Sequence, residues 1–167
     1  LLTPQLFLPV GCFLCAIVGL ACGSSWTATA TMGIAMLGIG AGLGIPAPIT
    51  AGMAISGAYV GDKFSPLSDT TNLAAAVSET GLFDHVTAMV SSTAPTFVIA
   101  IVLYAIIGFT TGGGSYDPKV ATDLQTALAE GFNMSPILLL PILVVIGACV
   151  LRLPGLVGIA ISVGTGV

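Results

Sequence analysis

The chain has 167 residues, of which only ten carry a charge, three as Lys or Arg and seven as Asp or Glu. A soluble domain of this length would carry about a quarter of its residues as charges, so the chain has about fourfold too few. Its mean hydropathy is +1.11 and 56% of its residues are hydrophobic. This composition predicts a polytopic protein of the lipid bilayer and excludes a soluble enzyme, a nucleic-acid binder and a disordered tail.

The placement of the charges is more informative than their number. Residues 1–61 contain no Asp, Glu, Lys, Arg or His, and residues 86–116 and 131–151 contain no charge. A membrane-spanning helix needs about 20 mainly apolar residues, and each stretch is long enough to provide one. We therefore expect an all-α, multi-pass membrane protein.

In chain order, the first predicted span covers residues 6–22 and ends where small hydroxyl residues replace aliphatic ones, from Gly23 to Thr27. We expect the helix to break there. Residues 28–45 return to apolar character. Pro46 and Pro48 then force a turn, because proline removes a backbone donor and disfavours helix at the residue before it.

Glycines in this half of the chain recur four residues apart, a spacing that lets helix backbones approach closely in lipid. The spacing predicts close helix packing. The pairs are Gly38 and Gly42, Gly40 and Gly44, and Gly57 and Gly61.

The second half contains fewer spans and one polar connection. Residues 89–110 are the cleanest predicted span, and the apolar pattern from Val120 to Leu128 predicts a short interfacial helix. We divide the chain into a transmembrane repeat half carrying the polar motif, a polar connection, and the start of the next transmembrane segments. These parts are residues 1–110, 111–134 and 135–167.

One polar segment interrupts the apolar sequence. From Asp62 to Asn72 the chain carries two carboxylates, one amine, four hydroxyls and one amide, with apolar helix on both sides. A charge at the bilayer centre costs about 2.5 to 3.5 kcal/mol on insertion scales, so such residues face a cavity or a partner and usually mark an ion pathway.

The proline in this segment makes an unbroken helix unfavourable. We expect one helix to end near Gly61 or Asp62, an unwound stretch from Ser65 to Leu67, and a new helix with Ser68 or Asp69 as its N-cap. Discontinuous helices of this kind build the ion sites of secondary transporters. Hard cations take oxygen ligands, and the segment is rich in them.

Three stretches carry a family resemblance: Gly23 to Thr29, Ser56 to Ala74 with the string GDKFSPLSDTTNLA, and Leu82 to His85. They closely resemble the NhaC-type sodium/proton antiporters, a group that includes malate/lactate-coupled antiporters and belongs to the ion-transporter superfamily. The resemblance implies a multi-pass antiporter of the bacterial or archaeal inner membrane, built from inverted repeats. This chain would hold roughly one half of it and look like an internal piece.

The residues themselves fit ion exchange. A carboxylate in a low-dielectric cavity ionises less readily, while a nearby cation favours its charged form, so a proton and Na⁺ compete for the same group. If the cavity opens alternately to the two sides, the gradient of either ion drives the other, without covalent chemistry or a cofactor. We predict Asp62 and Asp69 as the Na⁺ and H⁺ carriers. The predicted neutral ligands or helix caps are Ser65, Ser68, Thr70, Thr71 and Asn72, with Ser25 and Thr27 facing them from the earlier break.

Other interpretations remain at this point. Asp69 could serve only as a helix cap, and Asp62 only as the partner of Lys63. His85 is the one side chain that titrates near neutrality without perturbation, which suggests a pH sensor, although a histidine beside Asp84 is also typical of an interfacial residue.

Two alternative functions also remain. One is a Na⁺-coupled carrier of an organic anion, of the malate/lactate type, although a substrate carboxylate favours cationic partners and the chain has only three Lys or Arg residues. The other is a channel-like membrane subunit whose acidic residues line a pore. In each case the expected partners are the bilayer, Na⁺ and H⁺, with a possible homodimer and no nucleic acid.

Overall fold

The computed structural model describes residues 4–111, 126, 136–151, 153 and 155–166. All regular structure in these ranges is helical, and none of the described residues lies in a strand. The predicted all-α class is therefore confirmed for the described part of the chain. The chain divides into two compact units, Leu1–Pro118 and Lys119–Val167.

The helices follow one another with short connections. The first unit contains α1 (Pro4–Cys22), α2 (Ser25–Ala28), α3 (Ile34–Gly42), α4 (Ala47–Phe64), α5 (Asp69–Val77) and α6 (Leu82–Thr111). A π-helical turn, Thr29–Gly33, joins α2 to α3. The second unit contains a 3-10 turn, Pro136–Leu139, followed by α7 (Leu140–Val150) and α8 (Gly155–Gly166).

The ends of α1 and α3 are set by glycines with left-handed backbone. Gly23 has φ +61° and its N–H donates to the Gly19 carbonyl at 2.9 Å, which closes the last turn of α1. Gly44 has φ +71° and ends the turn after α3. The predicted interruptions after Cys22 and before Pro48 therefore both occur.

Helices α1 and α4 pack backbone against backbone. A Cβ atom added at Gly57 would overlap the carbonyl oxygen of Cys12, and one added at Gly61 would overlap that of Ala16. The close packing predicted from glycine spacing is confirmed at these two positions. It is also seen at Gly40, where an added Cβ would lie 2.6 Å from the Thr50 hydroxyl oxygen.

The prediction of close helix packing is wrong at Gly38. A Cβ there would meet no atom of the described residues within 4 Å. The hydrophobic core lies instead around the first half of α1, with side chains from α3 and α4 packed onto it. Its buried members are Phe7, Leu8, Cys12, Cys15, Met36, Leu43, Ile45, Met53 and Ala54.

Two described helices are long and apolar enough to cross a bilayer, α1 with 19 residues and α6 with 30. At 1.5 Å per residue, α6 is about 45 Å long, which exceeds the roughly 30 Å of a hydrocarbon core. None of the apolar window of α6 is buried in this chain, whereas 39% of the α1 window is. The structure thus agrees with a membrane protein.

The second unit is smaller. The Ser162 hydroxyl of α8 donates to the Pro141 carbonyl of α7 at 3.1 Å, so the two helices are tied by a hydrogen bond. The predicted interfacial helix from Val120 to Leu128 lies outside the described residues, apart from Thr126. The predicted three-part division of the chain stays a prediction.

Candidate ion-binding site

The polar segment forms the connection between α4 and α5. Helix α4 ends at Phe64, two or three residues beyond the predicted end, and Ser65 has an extended backbone with φ −84° and ψ +124°. The Ser65 N–H still donates to the Asp62 carbonyl at 3.0 Å, and the Ser65 hydroxyl accepts the Leu67 N–H at 3.2 Å. Residues 65–68, here called the connection, therefore form a tight hydrogen-bonded turn rather than a loose linker.

Ser68, and not Asp69, is the N-cap of α5. Its hydroxyl accepts the Thr71 N–H at 3.4 Å and shares a hydrogen bond of 2.9 Å with the Thr70 hydroxyl. The Asp69 carboxylate accepts the Thr70 N–H at 2.7 Å in the first turn, where a negative charge is favoured by the helix dipole.

Asn72, on α5, forms hydrogen bonds with the backbone of the connection. Its side-chain amide donates to the Pro66 carbonyl at 2.8 Å and to the Ser68 carbonyl at 2.7 Å. Two backbone carbonyls near the helix break are thus already satisfied, and the Asn72 amide group stabilises the shape of the turn.

Four of the predicted site residues are buried together along this short stretch. The exposed fraction is 7% for Asp62, 2% for Thr71 and 0% for Ser65 and Ser68. Asp62 Oδ1 and Thr71 Oγ1 are buried and have no hydrogen-bond partner among the described residues. Unpaired buried oxygens are costly, so each calls for a partner beyond those that the described residues supply.

The other predicted residues of the segment lie at the surface of this chain. Asp69, Thr70 and Asn72 are exposed, as is Lys63. The two candidate carboxylates are therefore in different environments, one buried at the end of α4 and one exposed at the beginning of α5. Their joint role in binding Na⁺ stays a prediction.

The break between α1 and α2 lies against the connection. Of the two site residues predicted there, one is buried and the other is exposed. Ser25 is 5% exposed, whereas Thr27 is exposed and its hydroxyl donates to the Ser24 hydroxyl at 3.2 Å, within the cap of α2. The direct contact comes from Gly23, where an added Cβ would lie 2.8 Å from the Leu67 carbonyl carbon.

A groove beside Ser25 was not predicted. It has a volume of about 180 Å³ and is lined by Ser25, Trp26, Thr29, Ile55 and Tyr59. It lies next to the π-helical turn, a feature often found at functional sites. Tyr59 precedes Asp62 by three residues and so shares its side of the helix, which is the one sequence signal that could have indicated the groove.

His85 lies in the first turns of α6. Its backbone N–H donates to the Gly81 carbonyl at 2.9 Å, and its ring Nε2 is buried without a hydrogen-bond partner among the described residues. The pH-sensing role stays a prediction. Within the described ranges no three His, Cys, Asp or Glu side chains are grouped so as to hold a metal ion.

Comparisons with known proteins identify a family to which the chain is similar. Residues 57–167 match the sequence profile of the Na⁺/H⁺ antiporter family. The chain is 46% identical, over 99% of its length, to the arginine/ornithine antiporter ArcD of Halobacterium salinarum. It is 40% identical over 95% to the malate-2H⁺/Na⁺-lactate antiporter of Bacillus subtilis, and 38% identical over 100% to the Na⁺/H⁺ antiporter NhaC of Alkalihalophilus pseudofirmus.

The chain spans about a third of these curated relatives, namely 34%, 34% and 36% of their lengths. The expectation that it holds one half of the transporter is therefore corrected to about a third. No solved structure matches the chain. All three relatives are transporters by name, and the profile covers the polar segment from Asp62 to Asn72, so the predicted resemblance is confirmed: the chain belongs to the Na⁺/H⁺ antiporter family.

Proposed function

We propose that the protein to which this chain belongs exchanges Na⁺ for H⁺ across the cytoplasmic membrane, with Asp62 as the group for which the two ions compete. The observation that carries the proposal is the buried Asp62 Oδ1, which has no hydrogen-bond partner among the described residues. The adjacent Lys63 is exposed. A carboxylate taken out of water needs either a proton or a cation, and these are the two ions of the exchange.

The buried oxygens that follow Asp62 in the chain support a cation as one of the two occupants. Thr71 Oγ1 is also buried and unpartnered among the described residues, and the Ser65 and Ser68 hydroxyls are fully buried. Hydroxyl, carboxylate and carbonyl oxygens are the ligands that hard cations take. The end of α4 adds the partial negative charge of a helix C-terminus, which favours a cation.

The Na⁺ and H⁺ fluxes are coupled if Asp62 binds only one of the two ions at a time. If Asp62 holds a proton or Na⁺ but not both, and the site opens to one side at a time, each inward proton is exchanged for an outward Na⁺ without a cofactor. The discontinuous helices at Gly23 and at residues 65–68 would lie within one inverted repeat, and Asp69, at the surface of this chain, would supply a second carboxylate near the site. The proposed location is the inner membrane.

The test uses the full-length protein in everted vesicles. Proton flux on addition of Na⁺ is expected in the unmodified protein and is expected to be lost in Asp62→Asn. Asp84→Asn is the matched control, because it removes an exposed carboxylate in the first turn of α6. Equal flux in Asp62→Asn and the control would overturn the proposal, and flux that neither saturates nor depends on a counter-ion would indicate a channel.

A second candidate is exchange of an organic solute, and the groove beside Ser25 favours it. Trp26 and Tyr59 are 81% and 46% exposed, and aromatic faces attract organic cations. Lys63 is the single Lys or Arg among the described residues, which favours a cationic solute over malate or lactate. Flux stimulated by arginine or ornithine, and lost in Trp26→Ala, would support this candidate, whereas stimulation by malate or lactate would support the organic-anion alternative.

A further inference from the structure

Two of the helix interruptions of the first unit, at Gly23 and at the connection, touch each other through their backbones. Gly23, between α1 and α2, is buried and has φ +61°, a conformation that side chains disfavour. A Cβ added there would lie 2.8 Å from the carbonyl carbon and 2.8 Å from the Cβ of Leu67, in the middle of the connection. Both the backbone conformation and the available space therefore require glycine at position 23.

The same end of α1 also touches the last turns of α4. A Cβ added at Gly19 would lie 2.5 Å from the Ala58 carbonyl oxygen and 3.2 Å from the backbone nitrogen of Asp62. Gly19 and Gly23 are four residues apart, so both face the same side of the α1 end. One contacts the backbone of the buried carboxylate residue, and the other contacts the turn that follows it.

We propose that Gly19 and Gly23 are positioning residues of the ion site, acting through Asp62 and Leu67 rather than on the ion itself. The inference rests on the proposed function. Asp62 precedes the connection in the chain and Thr71 follows it, and each has a buried oxygen without a partner among the described residues, so a shift of Leu67 would move the two oxygens relative to each other. Affinity for a hard cation depends on that separation, because ligand distances vary over only a few tenths of an ångström.

Two substitutions at position 23 distinguish the effect of the left-handed backbone from the effect of steric contact with Leu67. Gly23→Ala disturbs both, whereas Gly23→Asn keeps a residue that tolerates left-handed backbone and adds only the obstructing side chain. Both are expected to raise the Na⁺ concentration for half-maximal exchange by about tenfold, with a smaller effect on the maximal rate. Full recovery of the normal value in Gly23→Asn would overturn the proposal, since glycine would then serve only the local turn.

Gly57→Ala is the matched packing control. Its added Cβ would meet the Cys12 carbonyl in the same interface between α1 and α4, more than one turn before Asp62. It is expected to lower the amount of folded protein without shifting the half-maximal Na⁺ concentration of the protein that folds. A purely structural role of Gly23 would give the same result as Gly57→Ala.

Leu67→Gly tests the contact from the other side and covers the case in which the Gly23 variants do not accumulate. It removes the Leu67 Cβ from the contact without adding an atom and loosens the backbone of the connection, so it is expected to raise the half-maximal Na⁺ concentration as well. An unchanged value in Leu67→Gly, in full-length protein that exchanges Na⁺ normally, overturns the inference and leaves the proposed function intact. Absence of Na⁺-dependent proton flux in the unmodified protein overturns the proposed function and this inference with it.

Discussion

The α4 side and the α5 side of the connection differ in burial, although both belong to one continuous polar motif. On the α4 side, Gly61 lies against the α1 backbone and Asp62 is buried. On the α5 side, Asp69 and Thr70 are exposed, and Thr71 is the buried member of the first turn. Burial of the first carboxylate goes together with the close contact between α4 and α1, whereas the second carboxylate, in the same polar motif, is exposed. Residues of the same chemical type, a few positions apart, are therefore expected to contribute unequally.

The largest expected effect separates the two carboxylates. Leaving a buried ion without its charged partner costs about 3–5 kcal/mol, so Asp62→Asn should lower Na⁺ affinity by more than about a hundredfold and abolish measurable exchange. Asp69 is exposed, and exposed charges contribute about 1 kcal/mol or less, so Asp69→Asn should raise the half-maximal Na⁺ concentration by no more than about fivefold. Proton flux in everted vesicles against Na⁺ concentration measures both. A larger loss in Asp69→Asn than in Asp62→Asn would contradict the account.

The next effect is on stability and tests the contact with α1. Gly61→Ala places a Cβ on the Ala16 carbonyl and 2.7 Å from the Leu20 nitrogen. Overpacking of this kind costs about 1–3 kcal/mol, so we expect a lower unfolding temperature for the full-length protein in detergent. Gly38→Ala is the control, since its Cβ meets no atom of the described residues within 4 Å and alanine favours helix. Equal unfolding temperatures for the two variants would show that the packing of α1 on α4 is looser than described.

Removal of the Thr71 hydroxyl is expected to have a moderate effect on Na⁺ affinity. Thr71→Val keeps the shape of the side chain and removes the buried oxygen that has no partner among the described residues. Loss of one neutral ligand is worth about 1 kcal/mol, so the half-maximal Na⁺ concentration should rise about fivefold. Thr87→Val removes an exposed hydroxyl bonded to the Phe83 carbonyl on α6 and should change nothing. A shift in Thr87→Val as large as that in Thr71→Val would remove the case for Thr71.

The smallest effect is expected at His85. It lies on α6, outside the connection, and we expect His85→Gln to leave the pH profile of exchange unmoved. The profile is measured as Na⁺-dependent proton flux at a series of external pH values, with the unmodified protein in parallel. A displaced profile would instead identify His85 as a pH sensor.

Much of the helical arrangement could be predicted, because its causes are local. Prolines and glycines fix the interruptions near Gly23, Pro46 and Pro66, and the missing charges define the long apolar helices. The predicted end of α4, at Gly61 or Asp62, is two or three residues too early. Nothing before Pro66 stops the helix, and Phe64 completes its last turn.

The site was less predictable, because burial is a property of packing. Asp62 and Asp69 belong to the same polar motif, yet Asp62 is buried beside Gly19 of α1, whereas Asp69 is exposed. The contact between Gly23 and Leu67 joins residues 44 positions apart, so no local pattern reveals it. The same holds for the groove between the π-helical turn and α4, whose lining comes from two separate segments.

The central claim is that Asp62 holds either a proton or Na⁺, and Na⁺-induced proton release tests it most directly. The purified full-length protein is placed in weakly buffered detergent solution, and the pH is followed while Na⁺ is added, with choline as the control cation. The account predicts proton release that saturates with Na⁺ in the unmodified protein and is absent in Asp62→Asn. Equal release in Asp62→Asn, or Na⁺ binding without release in the unmodified protein, would contradict it.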